Sequence, residues 1–189
     1  EVTDEKTMDA WKQISAECIR RIRLIAPKTK IIIGGYWNNS VTAVKDLPMP
    51  ADENIVYNFH CYEPLIFTHQ GAGWVDTMPA DYRMSFDNDM SVFMDKTKEY
   101  LPDNVIMLEP AKDIHHALDS EFFEKLFAEA ITVAEERNVP LYCGEYGVIN
   151  LASPEDTLKW YQSIHAVFEK YGIGRAAWSY KEMDFGLID

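Results

Sequence analysis

Cysteine is scarce in this 189-residue chain, which carries only Cys18, Cys61 and Cys143. Three so scattered residues exclude a disulfide scaffold and read as free buried thiols. No CxxC pair or Cys/His cluster has the spacing of a metal site. The His115-His116 pair lacks partners for one, and His165 falls within an amphipathic pattern. No apolar run approaches the roughly 20 residues that span a bilayer. Positive charge is short as well: 18 Lys and Arg stand against 31 Asp and Glu, a net charge of −13. That balance opposes binding to phosphate backbones and argues against a nucleic-acid partner. An uncharged ligand suits it better. No glycine-rich phosphate loop, low-complexity segment or long internal repeat is present. The chain opens on Glu1 rather than Met, so the lack of a leader carries no information about compartment.

What is present fits one globular domain: 47% hydrophobic and 26% charged residues, enough for a substantial core. Met8, Trp11, Ile14, Cys18, Ile22 and Ile25 recur at steps of three and four, which predicts a helix capped by Thr3 or Asp4 and ended by Pro27. The run Ile31-Ile32-Ile33 suits a parallel strand covered on both faces. Asn54–Tyr62 reads as a second strand. A polar and aromatic stretch from Glu63 to about Asp87 follows, too long for an ordinary connector. Helices are expected over about 87–101 and 120–137, with Val105–Leu108 between them a short strand or a buried loop. Leu141–Tyr146 is a third strand. Ser153-Pro154-Glu155 starts another helix, with a capping serine, a proline at the first turn and an acid at the positive end. Ala176–Tyr180 is expected to be the last strand. This alternation predicts parallel strands joined by right-handed crossovers, either an open sheet or part of a (β/α)₈ barrel. A whole barrel needs about 250 residues, so about four strands with flanking helices predict half of one.

In such folds, reactive groups project from the C-terminal ends of strands. Here those ends carry Tyr36-Trp37-Asn38-Asn39, His60-Cys61-Tyr62, Glu145-Tyr146 and Trp178-Ser179-Tyr180. Alternation puts His60 and Tyr62 on one face. Glu145, within Gly144-Glu145-Tyr146-Gly147, follows an apolar approach where an unpaired charge is expensive. Its flanking glycines admit close approach of another group. Function is one explanation, and a structural tie to Arg or Lys is the other. His60 alone reads equally as a core histidine, and Trp178 as core or as a flat surface for a sugar ring.

Together the segments IIIGGYWNN, NFHCYEP, FTHQGAGW, CGEYGV and WSYKEMDFGL resemble glycoside hydrolase family 5, the cellulases, mannanases and relatives built on a (β/α)₈ barrel. The resemblance covers nearly the whole chain, and its motifs are specific in combination. It implies that residues 1–189 are a single partial catalytic domain, running from the end of barrel strand four to strand eight. By the same resemblance, Glu145 matches the catalytic nucleophile, His60 and Tyr62 the His-x-Tyr pair that orients it, and Trp178 the aromatic platform. Glu1 matches the general acid/base, the alternative being an incidental acid at a helix start. Glu63 and Glu109 are rival acids. Trp37, Asn38, His69, Gln70, Trp74 and Lys181 are expected to contact substrate.

The implied chemistry is retaining cleavage of β-1,4-linked glucan by double displacement, with two carboxyl groups about 5–5.5 Å apart. The implied partners are a β-glucan or related oligosaccharide and the missing N-terminal half of the barrel, with no metal or organic cofactor and no membrane or nucleic acid. Related mannanase or β-glucanase activity stays open. So does a half-barrel that binds carbohydrate without cleaving it.

Overall fold

The structure, a computed structural model, describes residues 2–188. It divides into two compact units. The first comprises the chain up to Cys61 together with Phe127–Gly144 and Tyr171–Arg175. The second comprises Tyr62–Leu126, Glu145–Lys170 and the segment from Ala176 onward.

The first unit holds the sheet. Helix α1 spans Met8–Ile25 after a short turn of 3-10 helix. Asp4 starts that turn by accepting the Thr7 amide at 3.1 Å, as a capping carboxylate should. The expected apolar seam of α1 is only partly covered. Met8 is buried, whereas Ile14, Ile22 and Ile25 are exposed. Cys18 is exposed as well, which corrects its reading as a buried thiol, because it lies on this uncovered face; Cys61 and Cys143 are buried as expected. Strands β1 (Ile31–Ile33), β2 (Ile55–Cys61), β3 (Leu141–Tyr146) and β4 (Gly174–Arg175) form a sheet in the order β1-β2-β3-β4. Pairing is parallel between β1 and β2 and between β3 and β4, and the Tyr57 amide donates to Pro140 O at 3.0 Å. Tyr57, Phe59 and Cys61 of β2 are fully buried, and Phe59 packs on Phe127 with ring centroids 4.9 Å apart. The Arg137 guanidinium holds the Leu47 carbonyl at 2.8 Å and lies over the Tyr57 ring. That arrangement satisfies a buried backbone acceptor and covers an aromatic face with one side chain.

The second unit is built on helices. Helix α2 spans Met90–Tyr100, with Asp89 accepting the Ser91 amide at its start. Helix α3, Ser120–Glu136, contributes Phe122, Phe123 and Leu126 to the core of this unit. Helix α4, Pro154–Tyr171, buries Trp160, Ile164, Val167 and Phe168, as its spacing predicts. Its Ser153 cap accepts the Asp156 amide at 3.1 Å and donates to Asp156 Oδ2 at 3.0 Å. The long stretch after Glu63 has a small core of its own. Phe67 stacks at an angle on Phe86, and Phe86 on Phe93.

Two further expectations are corrected. Val105–Leu108 is neither strand nor loop but a turn of α-helix. The last strand is Gly174–Arg175, ahead of the expected Ala176–Tyr180. Beyond it the Trp178 amide donates to Tyr146 O at 2.9 Å, but the Ser179 amide turns to Phe185 O at 3.1 Å.

Candidate active site

Two strand ends supply the centre of the site, both in the second unit. Tyr62 follows β2, and Glu145 is the penultimate residue of β3. The Tyr62 phenol donates to Glu145 Oε2 at 3.2 Å, and both side chains are half-buried. This is a carboxylate with a fixed donor at the C-terminal end of a parallel strand, where such folds keep their chemistry.

The chain after Tyr62 turns back to support it. The buried Thr68 hydroxyl donates to Tyr62 O, and Thr68 O accepts the Ile149 amide at 2.9 Å, just beyond Glu145. Thr68 thus links the two segments that carry the pair. Its hydroxyl also meets His69 Nδ1 at 3.0 Å. A hydroxyl has one proton, and a carbonyl only accepts. With that proton on Tyr62 O, the Thr68 oxygen accepts from His69, which fixes the proton on Nδ1. Burial holds the imidazole neutral by pushing its pKa down to about 4.

Around this pair lies an aromatic cluster. Tyr62, His69 and Phe185 meet pairwise with centroids 5.1–5.6 Å apart. Trp74 lies 6.3 Å from both His69 and Phe185 and is exposed. Sequence reasoning passed over Phe185, although it closes the WSYKEMDFGL segment. It follows three residues in the left-handed region, Glu182, Met183 and Asp184, a turn that only the structure reveals.

The flanking glycines are explained by close approach. A Cβ on Gly144 would lie 2.5 Å from Asn58 Oδ1, and one on Gly147 would lie 2.3 Å from the Trp178 carbonyl oxygen. Trp178 is exposed beside this contact, its amide donating to Tyr146 O at 2.9 Å.

The remaining candidates are placed as follows. His60 is half-buried and bridges to Ser40 in the first unit. Trp37 and Asn38 belong to the same unit, exposed on a turn with φ of 48° and 53°. Lys181 is exposed, and its carbonyl accepts the Ser179 hydroxyl. Glu1 lies outside the described residues. Gln70 requires correction as a substrate contact. It is buried, its amide nitrogen donates to Phe67 O and its oxygen accepts the Met84 amide, both at 2.9 Å. Both ends of the side chain are spent on holding its own loop. Of the rival acids, Glu63 accepts the Tyr62 amide at 3.1 Å, and Glu109 pairs with Lys112 on the surface.

A parallel sheet with helical crossovers and a tyrosine-bound glutamate at a strand end fits the α/β barrel class. The model of the cellulase family, glycosyl hydrolase family 5, matches residues 1–184, and the chain belongs to that family. It is 44% identical over 175 residues to cellodextrinase A of Ruminococcus flavefaciens, covering 93% of this chain and 44% of the relative. Endoglucanase C of Acetivibrio thermocellus is 35% identical over 179 residues, covering 95% and 51%. Among solved structures, a hyperthermophilic endo-β-1,4-glucanase in complex with substrate superposes with a TM-score of 0.72 at 26% identity, covering 100% of this chain and 52% of the other. Cel5A of Thermotoga maritima with cellobiose gives 0.71 at 25%, covering 99% and 51%. The chain therefore spans about half the length of the relatives it matches, and its fold is half of their (β/α)₈ barrel.

Proposed function

We propose that residues 1–189 are a partial catalytic domain, the C-terminal half of a retaining β-1,4-glucanase barrel, with Glu145 as its nucleophile. The observation that carries this is the Tyr62–Glu145 hydrogen bond within a family of cellulases. A carboxylate that accepts from a phenol is aimed along one oxygen, as attack on an anomeric carbon requires. Ionised Glu145 attacks from one side of the sugar while the acid/base partner protonates the leaving oxygen. Water then releases the glycosyl-enzyme. Glu1 is assigned as that partner from its sequence position alone. Trp74 and Trp178 offer exposed flat apolar surfaces to pyranose rings, and His69 can accept from a hydroxyl through Nε2. Neither metal nor organic cofactor enters this scheme.

The isolated chain is expected to have little activity, because half a barrel leaves unpaired strand edges and an unfinished site. Joined to its upstream sequence, it should hydrolyse a soluble β-1,4-glucan. Glu145→Gln should then lower kcat by about 10⁴-fold or more. Azide added to Glu145→Ala should give a glycosyl azide of inverted anomeric configuration. A near-normal rate in Glu145→Gln would overturn the nucleophile assignment. Cleavage with inversion in the unmutated enzyme would overturn the retaining mechanism.

A further inference from the structure

Trp160 is fully buried in the middle of α4, which makes it look like ordinary core. Its contacts are more specific than that. The indole nitrogen donates to the carbonyl of Glu63 at 3.0 Å, the residue immediately after Tyr62. Its ring lies nearly parallel to that of Tyr146, at 21°, the residue immediately after Glu145. The far end of Tyr146 is fixed as well, its phenol 2.8 Å from His165 Nε2 one helical turn further along α4. One rigid bicyclic side chain thus touches the backbone behind one member of the Tyr62–Glu145 pair and the side chain behind the other.

We infer that Trp160 is a positioning residue, a brace that fixes the distance between Tyr62 and Glu145 by bonding to Glu63 and stacking on Tyr146. This rests on the reading of Glu145 and Tyr62 as the reactive pair. The physical reason is the sensitivity of a hydrogen bond between two strand ends to their separation. At 3.2 Å the Tyr62–Glu145 bond is already longer than most O–H···O bonds, so further separation of the two groups would break it. Tyr62 lies just past the end of β2 and Glu145 next to the end of β3. A buried indole N–H must find an acceptor. Giving it the carbonyl next to Tyr62 makes the packing of α4 set the geometry of the site. Phe123 abuts the other side of the indole, with centroids 5.6 Å apart at 87°, so the ring cannot slide out of register.

The test uses the full-length enzyme and four variants. Trp160→Phe removes the donor and keeps an aromatic ring. Tyr62→Phe removes the bond the brace is said to protect. The double variant combines them, and Ile164→Val removes core volume one turn away. Trp160→Phe should lower kcat about tenfold with KM changed less than about twofold, the signature of lost orientation. It should also move the acidic limb of the kcat/KM profile in the same direction as Tyr62→Phe. In the double variant the two effects should not multiply: it should be no more than about twofold slower than Tyr62→Phe. Ile164→Val should lose stability with kcat intact. Multiplicative effects, a normal rate in Trp160→Phe, or an equal loss of kcat in Ile164→Val would overturn the brace. If Trp160→Phe does not fold, benzothienylalanine at position 160 keeps the ring shape, replaces N–H by sulfur and faces the same criteria. Glu145→Gln separates the two claims. Activity there defeats the site reading itself, whereas inactivity there with a normal Trp160→Phe defeats only the brace.

Discussion

Tyr62 and Glu145 stand 83 positions apart in sequence and share a hydrogen bond of 3.2 Å. Two strand ends of a parallel sheet meet in this bond. It gives the carboxylate a fixed direction, and the loop chemistry around it converges on the same two residues. Thr68 holds the carbonyl of one and the chain beyond the other.

Removing the phenol should cost rate rather than binding. A hydrogen bond to a charged group is worth about 1.5–3 kcal/mol, so Tyr62→Phe in the full-length enzyme should lower kcat by roughly 10–100-fold. KM should change little, because the bond orients the reacting group and not the ligand. Steady-state kinetics on a soluble β-1,4-glucan check this.

Trp74 makes the opposite split. Its ring is exposed at the edge of the aromatic cluster and makes no hydrogen bond to the Tyr62–Glu145 pair. Trp74→Ala should raise KM several-fold with kcat nearly unchanged, the pattern of uniform binding loss. A fall in kcat with KM constant would place Trp74 in the transition-state machinery instead.

His69 makes stability depend on pH. Burial lowers its pKa from 6.5 to about 4. Between those values the unfolded chain binds a proton that the folded chain excludes, so stability falls as pH drops through that window. Above pH 6.5 and below about 4 this group contributes no slope. Denaturation midpoints measured from pH 7 to 4 should show a smaller decline in His69→Gln than in the unmutated chain.

The two glycines beside Glu145 should be intolerant of a methyl group for different reasons. At Gly147 the obstructing atom is a backbone oxygen, that of Trp178, which cannot rotate away. Gly147→Ala should cost about 1–3 kcal/mol by overpacking and displace Trp178, readable as a change in intrinsic fluorescence. At Gly144 the obstruction is the end of the Asn58 side chain, so Gly144→Ala should cost less. Urea denaturation of the two variants orders them.

The cap of α4 can be tested alone. Ser153→Ala removes the hydroxyl that accepts the Asp156 amide and should cost about 1 kcal/mol. Because α4 carries Trp160, thermal unfolding should report this loss without a change in the Tyr62→Phe kinetic ratio.

The helices and most strands were legible because their signals are local. The apolar spacing of α4, its Ser153-Pro154 start and the aliphatic run of β1 depend only on neighbours in sequence. The place of Glu145 at a strand end was legible from its flanking glycines, and that of Tyr62 from its alternation with His60. Gln70 was misplaced because a polar side chain in a loop motif looks the same whether it faces a ligand or clamps its own loop. Only the positions of Phe67 O and the Met84 amide distinguish the two. Val105–Leu108 was ambiguous because four apolar residues fit a buried helical turn as well as a strand.

The sequence alone determined the family pattern and the parallel α/β architecture, since both are written in periodicity and in residues at strand ends. The tertiary structure decided what surrounds Glu145: the Tyr62 bond, the Thr68 link, Phe185 in the cluster and the Trp160 contacts. Those depend on distances between segments tens of residues apart, set by how helices pack on a sheet and invisible to any local pattern.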